Sequence, residues 1–274
     1  MKIKYVFLGL LFFGILCIPK EMSAQDKTPT DDLGNVSDDF QVHFFEALKQ
    51  SLASLTASLV TPNRIGEYGA KAMYFKKPLR KQVVGLNFIG NFYQLLATLF
   101  FGGIGCVLFS TKHAIPFNSP SFYGSLLLFF ILITTCYFLI KKSSIGLQYV
   151  NKIKTFLHKI PLQLNVKVGL LSFGRFVIFT HQFYFLLLIF KADISYINAL
   201  IAITTTYLIA STIPMWSFLD VVLKGTVAVW VFSFLQVPSL NILSVTTLMW
   251  FFNFVIPALM GCYFVITFKP NISV

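Results

Sequence analysis

Apolar residues run through this sequence in long blocks, separated by short intervals that are polar and mostly basic. Six blocks stand out: residues 83–109, 122–140, 168–190, 196–213, 219–237 and 241–267. Each is about 18 to 27 residues long, against roughly 20 needed for a helix to cross a hydrocarbon core. The pattern predicts an all-α fold, a polytopic membrane helix bundle with about six full spans. A weaker segment, Glu46 to Val60, precedes them. As a helix it would reach only about 22 Å. Its Ser51, Ser54 and Ser58 recur at i, i+3 and i+7, so they share one small polar face. Such a face suits close packing against another membrane helix. One short or re-entrant helix is expected here.

The front of the chain has a different pattern. Lys2 and Lys4 precede an apolar stretch from Tyr5 to Ile18, and Met22-Ser23-Ala24 supplies a small-residue cleavage context. This is the layout of an export signal. Residues 1–24 are therefore expected to be a signal-like leader, residues 25–43 an acidic polar linker, and residues 44–270 the membrane domain.

Composition agrees with the hydropathy pattern. Hydrophobic residues make up 56% of the chain, charged residues only 12%, and mean hydropathy is +0.76. A soluble domain carries about a quarter charged residues. The net charge of +12 is unevenly placed: residues 47–274 hold 18 of the 22 Lys and Arg but only three acids, Glu67, Asp193 and Asp220. In a soluble protein that excess would point to nucleic acid. Here the basic residues cluster in the intervals 64–81 and 141–167, two spans apart and thus on one side, so the positive-inside rule accounts for them. The expectations are a cell (inner) membrane location, a cytoplasmic C-terminus and no nucleic acid. Cys17, Cys106, Cys136 and Cys262 each lie alone in an apolar run. Neither a disulfide framework nor metal spacing follows, and no metal or cofactor is expected.

The densest polar stretch is Thr61-Pro62-Asn63-Arg64-Ile65-Gly66-Glu67-Tyr68-Gly69-Ala70-Lys71. Arg64 with Glu67, and Glu67 with Lys71, have the spacing of neighbours on one helical turn. Two readings stay open: a surface loop with ordinary ion pairs, or a re-entrant hairpin whose Arg64 and Glu67 line a polar cavity, since irregular backbone at membrane depth must be buried or line one. Arg175 lies inside the block 168–190, with Gln182 seven residues on. An intramembrane Arg faces a cavity or a partner, and its planar fork suits a lipid phosphate. Asn87, Asn91, Gln94 and Thr98 form one polar stripe on the block 83–109, either a helix contact or part of a substrate path. Asp220 and Lys224 make an i, i+4 pair, best read as structural.

The segment from Glu46 to Lys71, a small-residue helix followed by Thr-Pro-x-Arg-x-Gly-Glu at Thr61 to Glu67, resembles the signature segment of the lysylphosphatidylglycerol synthase transmembrane-region family. The span pattern continues that resemblance to about residue 267. It implies a stand-alone membrane member without the soluble synthase domain, handling a lipid or lipid-linked substrate. Thr61, Asn63, Arg64, Gly66 and Glu67 thereby join Arg175 as lipid-binding candidates, and no catalytic residue is assigned. Two features depart from the family pattern. Its late Pro-Gly-Gly-x-Gly-x-x-Glu would fall at Pro214 to Asp220, where the glycines are missing and Asp replaces Glu. The helices that precede the signature in the family are replaced here by the leader and linker.

The expected function is binding or flipping of an anionic or aminoacylated phospholipid or a lipid-linked substrate. Rival readings are a membrane-embedded lipid-linked group transferase, or an inactive, rearranged member. Expected partners are membrane lipids, with a homo-oligomer or partner membrane proteins also open.

Overall fold

A computed structural model of the chain describes residues 44–61, 65–113, 160–213 and 219–268, with isolated residues 148 and 155. Every regular element among the described residues is helical. Helix α1 (Phe44–Ala57) runs into a 3₁₀ turn (Ser58–Val60), and α2 (Ile65–Met73) follows. A second 3₁₀ turn (Lys77–Leu79) leads into the long α3 (Arg80–Lys112). Then come α4 (Leu162–Ile189), α5 (Tyr196–Ser211) and α6 (Asp220–Ser233). Helix α7 (Ser239–Trp250) passes through a π turn (Phe251–Val255) into α8 (Ile256–Ile266) without a break.

Three helical stretches are long and apolar enough to cross a membrane: Lys77–Lys112, Leu162–Ile189 and Ser239–Ile266. In each, at most a third of the most apolar window is buried within the protein. Large apolar side chains such as Leu99, Phe100, Val107, Leu170, Phe173, Leu259 and Met260 face outward. A soluble monomer does not leave apolar surface exposed on that scale. These helices support a membrane-embedded protein.

Helices α5 and α6 are shorter than the blocks that contain them. Their 16 and 14 residues reach about 24 and 21 Å, less than a hydrocarbon core of about 30 Å. The reason at α6 is local. Gln236 adopts a left-handed conformation (φ 57°), and the Val237 and Gln236 amides bond back to the carbonyls of Phe232 and Ser233. This closes the helix as a Schellman-type cap. Phe234, Leu235 and Val237 continue the apolar run beyond it. Lys191 (φ 53°) ends α4 in the same way. The expected span 122–140 lies outside the described residues.

Contacts between helix ends fix their directions. Lys112 bonds Asn198 (2.9 Å), the Asn241 amide bonds the Phe190 carbonyl (3.1 Å), and Phe109 packs edge-on to Phe234. The end of α3, the end of α4, the start of α5, the end of α6 and the start of α7 therefore gather at one end of the bundle. At the opposite, basic end, the Tyr74 ring packs tilted against Phe268 with ring centroids 4.5 Å apart.

Helices α3 and α5 approach closely. A Cβ on Gly102 would stand 2.6 Å from the Leu208 Cβ, and one on Gly105 would collide with the Thr204 side chain. Two glycines three residues apart let the backbones meet, as small residues do in membrane bundles. Beside this seam lies the apolar core: Phe183, Leu186, Leu187, Ala202, Ile203, Val231, Phe232, Ile242 and Val245, all at or below 2% exposure. It fills the half of the bundle away from the basic end.

Helices α1 and α2 form a hairpin that enters and leaves from the basic end. The charge of Glu46, at the start of α1, acts on Tyr74, just after α2. Helix α1 packs antiparallel to α8: the Thr56 hydroxyl donates to the Ala258 carbonyl, and Gly261 touches the Leu52 carbonyl and the Thr56 side chain. The hairpin thus reaches Ala258, ten residues (about 15 Å) before Phe268 along the helix.

Candidate functional site

Within the basic half of the bundle, between α3, α4, α5, α6 and α7, lies a cavity of about 730 Å³. That falls in the range of about 300–1,000 Å³ usual for small-molecule sites. Asn91, Gln94 and Thr98 line it from α3, so three members of the predicted polar stripe face one space. Arg175 lines it from α4, with its guanidinium carbon 5.4 Å from the ring centroid of Phe179. Asp220 and Lys224 line it from α6, joined at 2.6 Å and partly exposed at the basic end. Ser211, Thr212 and Ile213 are exposed beside them. The apolar core closes the opposite end.

Most hydroxyls in the wall are occupied by their own helices. Thr98, Thr206, Ser211, Thr212 and Thr246 each donate to a carbonyl three or four residues back. Tyr207 donates to the Phe179 carbonyl. The polar reach of the cavity therefore rests on Asn91, Gln94, Arg175, Asn253, Trp250 and the Asp220–Lys224 pair.

Asn253 lies in the π turn. Its amide nitrogen donates to the Gln182 Oε1 (3.0 Å) and to the Met249 carbonyl (2.8 Å). Gln182 is 1% exposed, so this bond satisfies half of an amide that packing has removed from any outside partner. π turns are rare and cluster at functional sites because they shift a side chain out of helical register. Here the side chain is Asn253, at the cavity wall.

Helix α2 lies beside the α3 wall. Asn91 donates to the Tyr68 hydroxyl at 2.7 Å, tying α2 to the α3 stripe. Glu67 and Lys71 lie one turn apart on α2, as their spacing predicts. Lys71 is held below the ordinary lysine range, first by burial; the Glu67 carboxylate opposes this, and the Arg175 guanidinium adds to it. That mutual influence brings α2 and Arg175 into one electrostatic neighbourhood.

The sequence candidates thus divide. Arg175 lines the cavity, and Glu67 is half-buried on α2. Thr61 and Gly66 hold the bend instead: the Gly66 amide donates to the Thr61 hydroxyl (2.8 Å), which donates to the Ser58 carbonyl (3.2 Å). A Cβ on Gly66 would meet that same hydroxyl at 2.8 Å. Asn63 and Arg64 lie outside the described residues. Among the described residues, no three His, Cys, Asp or Glu side chains are grouped to hold a metal. Sequence reasoning passed over Tyr68, Trp250 and Asn253. Asn253 carried a usable signal, an amide within a long apolar block, which in a membrane implies a partner or a cavity.

The chain matches no protein-family model, no curated protein and no solved structure.

Proposed function

We propose that this chain is a multi-pass protein of the cell membrane that binds a phospholipid or lipid-linked substrate and carries its headgroup across the bilayer. The observation that carries the reading is the cavity: a space of about 730 Å³, walled by Arg175 and three amide side chains, in a bundle whose outer surface is apolar. A headgroup leaving the interface needs such a space, because burying an ion or an amide without partners costs several kcal/mol. Arg175 would engage the phosphate through its planar fork.

In this reading the α1–α2 hairpin is re-entrant. It dips from the basic, cytoplasmic face to about mid-bilayer, and residue 268 lies on that same face. The apolar core acts as the outer seal. The resemblance of residues 46–71 to the lysylphosphatidylglycerol synthase transmembrane region is consistent with lipid handling.

The test is reconstitution into liposomes with a fluorescent headgroup-labelled phospholipid, with an impermeant quencher reading leaflet exposure. Headgroup exchange should exceed that of empty liposomes, and Arg175→Gln or Glu67→Gln should slow it. Exchange no faster than in empty liposomes, and unchanged by either substitution, refutes the reading. Formation of a new lipid product from lipid plus donor would favour a transferase instead.

A further inference from the structure

Two residues of the cavity wall carry an enclosed polar atom with no hydrogen-bond partner in the protein: the Oε1 of Gln94 on α3 and the indole Nε1 of Trp250 at the end of α7. Buried polar groups are almost always paired, so an unpaired one at a cavity marks a place for a ligand atom. Both groups are neutral. The carboxamide oxygen only accepts and the indole N–H only donates. Asn253 lines the same cavity three residues beyond Trp250. Its Nδ2 is spent on Gln182 and on the Met249 carbonyl, so the atom it can offer is its carbonyl oxygen. A phosphate can only accept and an ammonium can only donate, whereas a hydroxyl does both and suits all three residues. Gln94 and Trp250 stand on different helices, so a ligand that reaches both needs hydroxyls on more than one edge.

The rings beside these groups narrow the choice. Trp250 and Phe254 both line the cavity, their centroids 5.7 Å apart and their planes inclined by 32°. They present apolar ring surface directly next to the Asn253 amide. A pyranose has the matching form, with a face of C–H bonds and a rim of hydroxyls. A flexible chain of the same polarity has no such face.

We infer that the cavity is a binding site for the sugar ring of a glycolipid. The ring lies against Trp250 and Phe254, and its hydroxyls bond Gln94, the Trp250 N–H and the Asn253 oxygen. This inference rests on the lipid-binding reading of the cavity and names the class of its substrate.

The experiment is retention of lipids on the full chain in detergent micelles, read by native mass spectrometry. Three probes are compared: a monoglucosyl diacylglycerol, the same diacylglycerol without the sugar, and phosphatidylglycerol. The glucosyl lipid should be held about tenfold more tightly than the diacylglycerol, the scale of one or two hydrogen bonds. Gln94→Leu should cut that advantage about fivefold without lowering the Tm of the lipid-free protein, because the Gln94 oxygen bonds nothing within it. Trp250→Phe, which keeps a ring and removes the N–H, should cut it to a similar extent, and Trp250→Leu further. Equal retention of the glucosyl lipid and the diacylglycerol overturns the inference, as does an advantage that survives both Gln94→Leu and Trp250→Phe. The wild-type ranking decides the matter even where a variant fails to fold. Tighter retention of phosphatidylglycerol than of the glucosyl lipid refutes the sugar site and leaves lipid binding standing. Retention of none of the three refutes the lipid-binding reading itself.

Discussion

The hydroxyl of Thr56 on α1 donates to the backbone carbonyl of Ala258 on α8 at 2.8 Å. One turn along, Gly261 lies against the Leu52 carbonyl and Thr56 itself. A membrane offers no hydrophobic drive for helix association, so close backbone packing and a buried hydrogen bond must hold the hairpin.

Gly261→Val should therefore unseat the hairpin, because the atoms it would strike include backbone that cannot rotate away. A loss of about 1–3 kcal/mol is expected, the usual cost of overpacking. Gly103→Val is the control, since nothing lies within 4 Å of a Cβ there. Thermal unfolding in detergent, followed by tryptophan fluorescence, should show a clear drop in Tm for the first variant and little for the second. Equal drops would mean that glycine's backbone freedom matters, not the contact.

Lys71 offers a pH-dependent check on the union of α2 with Arg175. Burial holds its pKa below 10.5, Glu67 raises it and Arg175 lowers it. The folded state thus binds this proton more weakly than the unfolded chain does. Below the folded pKa both states are protonated and folding bears the full cost of the buried ammonium. As pH rises through the folded pKa towards 10.5, the unfolded state holds the extra proton and stability increases. Acylation of Lys71, followed by mass spectrometry against pH, should report a titration below that of surface lysines. Glu67→Gln should move it further down and Arg175→Gln should move it up. A Tm increment over the same pH window should be present in the wild type and absent in Lys71→Met. If Arg175→Gln leaves the titration in place, α2 and α4 are not neighbours.

Much of this architecture was legible in the sequence because hydropathy reports helix length where a helix is unbroken. The blocks 83–109, 168–190 and 241–267 match α3, α4 and the composite of α7 and α8. The blocks 196–213 and 219–237 overstated their helices, since apolar caps such as Phe234, Leu235 and Val237 look no different from helix interior. The stripe Asn91, Gln94 and Thr98 was legible from its spacing, and the Asp220–Lys224 pair formed as its i, i+4 offset predicts. Three features could not be read. Which of three clustered glycines, Gly102, Gly103 or Gly105, meets a partner depends on the helix opposite. A π turn leaves hydropathy unchanged, so the re-aiming of Asn253 was invisible. The meeting of Tyr68 with Asn91 depends on how the hairpin seats, which one chain's spacing does not encode.

The Gln182–Asn253 contact should behave as a coupled pair. Asn253→Leu leaves the Gln182 amide, 1% exposed, with no partner for Oε1, and should cost about 1–3 kcal/mol. Gln182→Met should cost less, because Asn253 keeps its bond to the Met249 carbonyl. The double variant removes both polar groups and should be closer to wild type than the sum of the singles, because nothing unsatisfied remains. A double-mutant cycle on unfolding free energies measures the coupling directly. Strict additivity would show that the two amides do not depend on each other.

The proposed re-entrant path of the hairpin makes a prediction about sidedness that a crossing helix does not. Tyr74 packs tilted against Phe268, and its pKa is raised first by burial and then by the Glu46 charge, which puts the start of α1 near the ends of α2 and α8. Lys191, Asn198 and Ser239 belong to the opposite face, where Lys112 meets Asn198 and Asn241 meets Phe190. In a background with Cys17, Cys106, Cys136 and Cys262 replaced by Ser, single cysteines at Lys49, Lys76, Lys191 and Ser239 can be probed in intact cells with an impermeant maleimide. Lys191→Cys and Ser239→Cys should label from outside. Lys49→Cys and Lys76→Cys should label together, and only after the membrane is opened. A crossing α1 would separate that second pair, with Lys49→Cys reacting in intact cells while Lys76→Cys stayed protected. That result would make the hairpin a span.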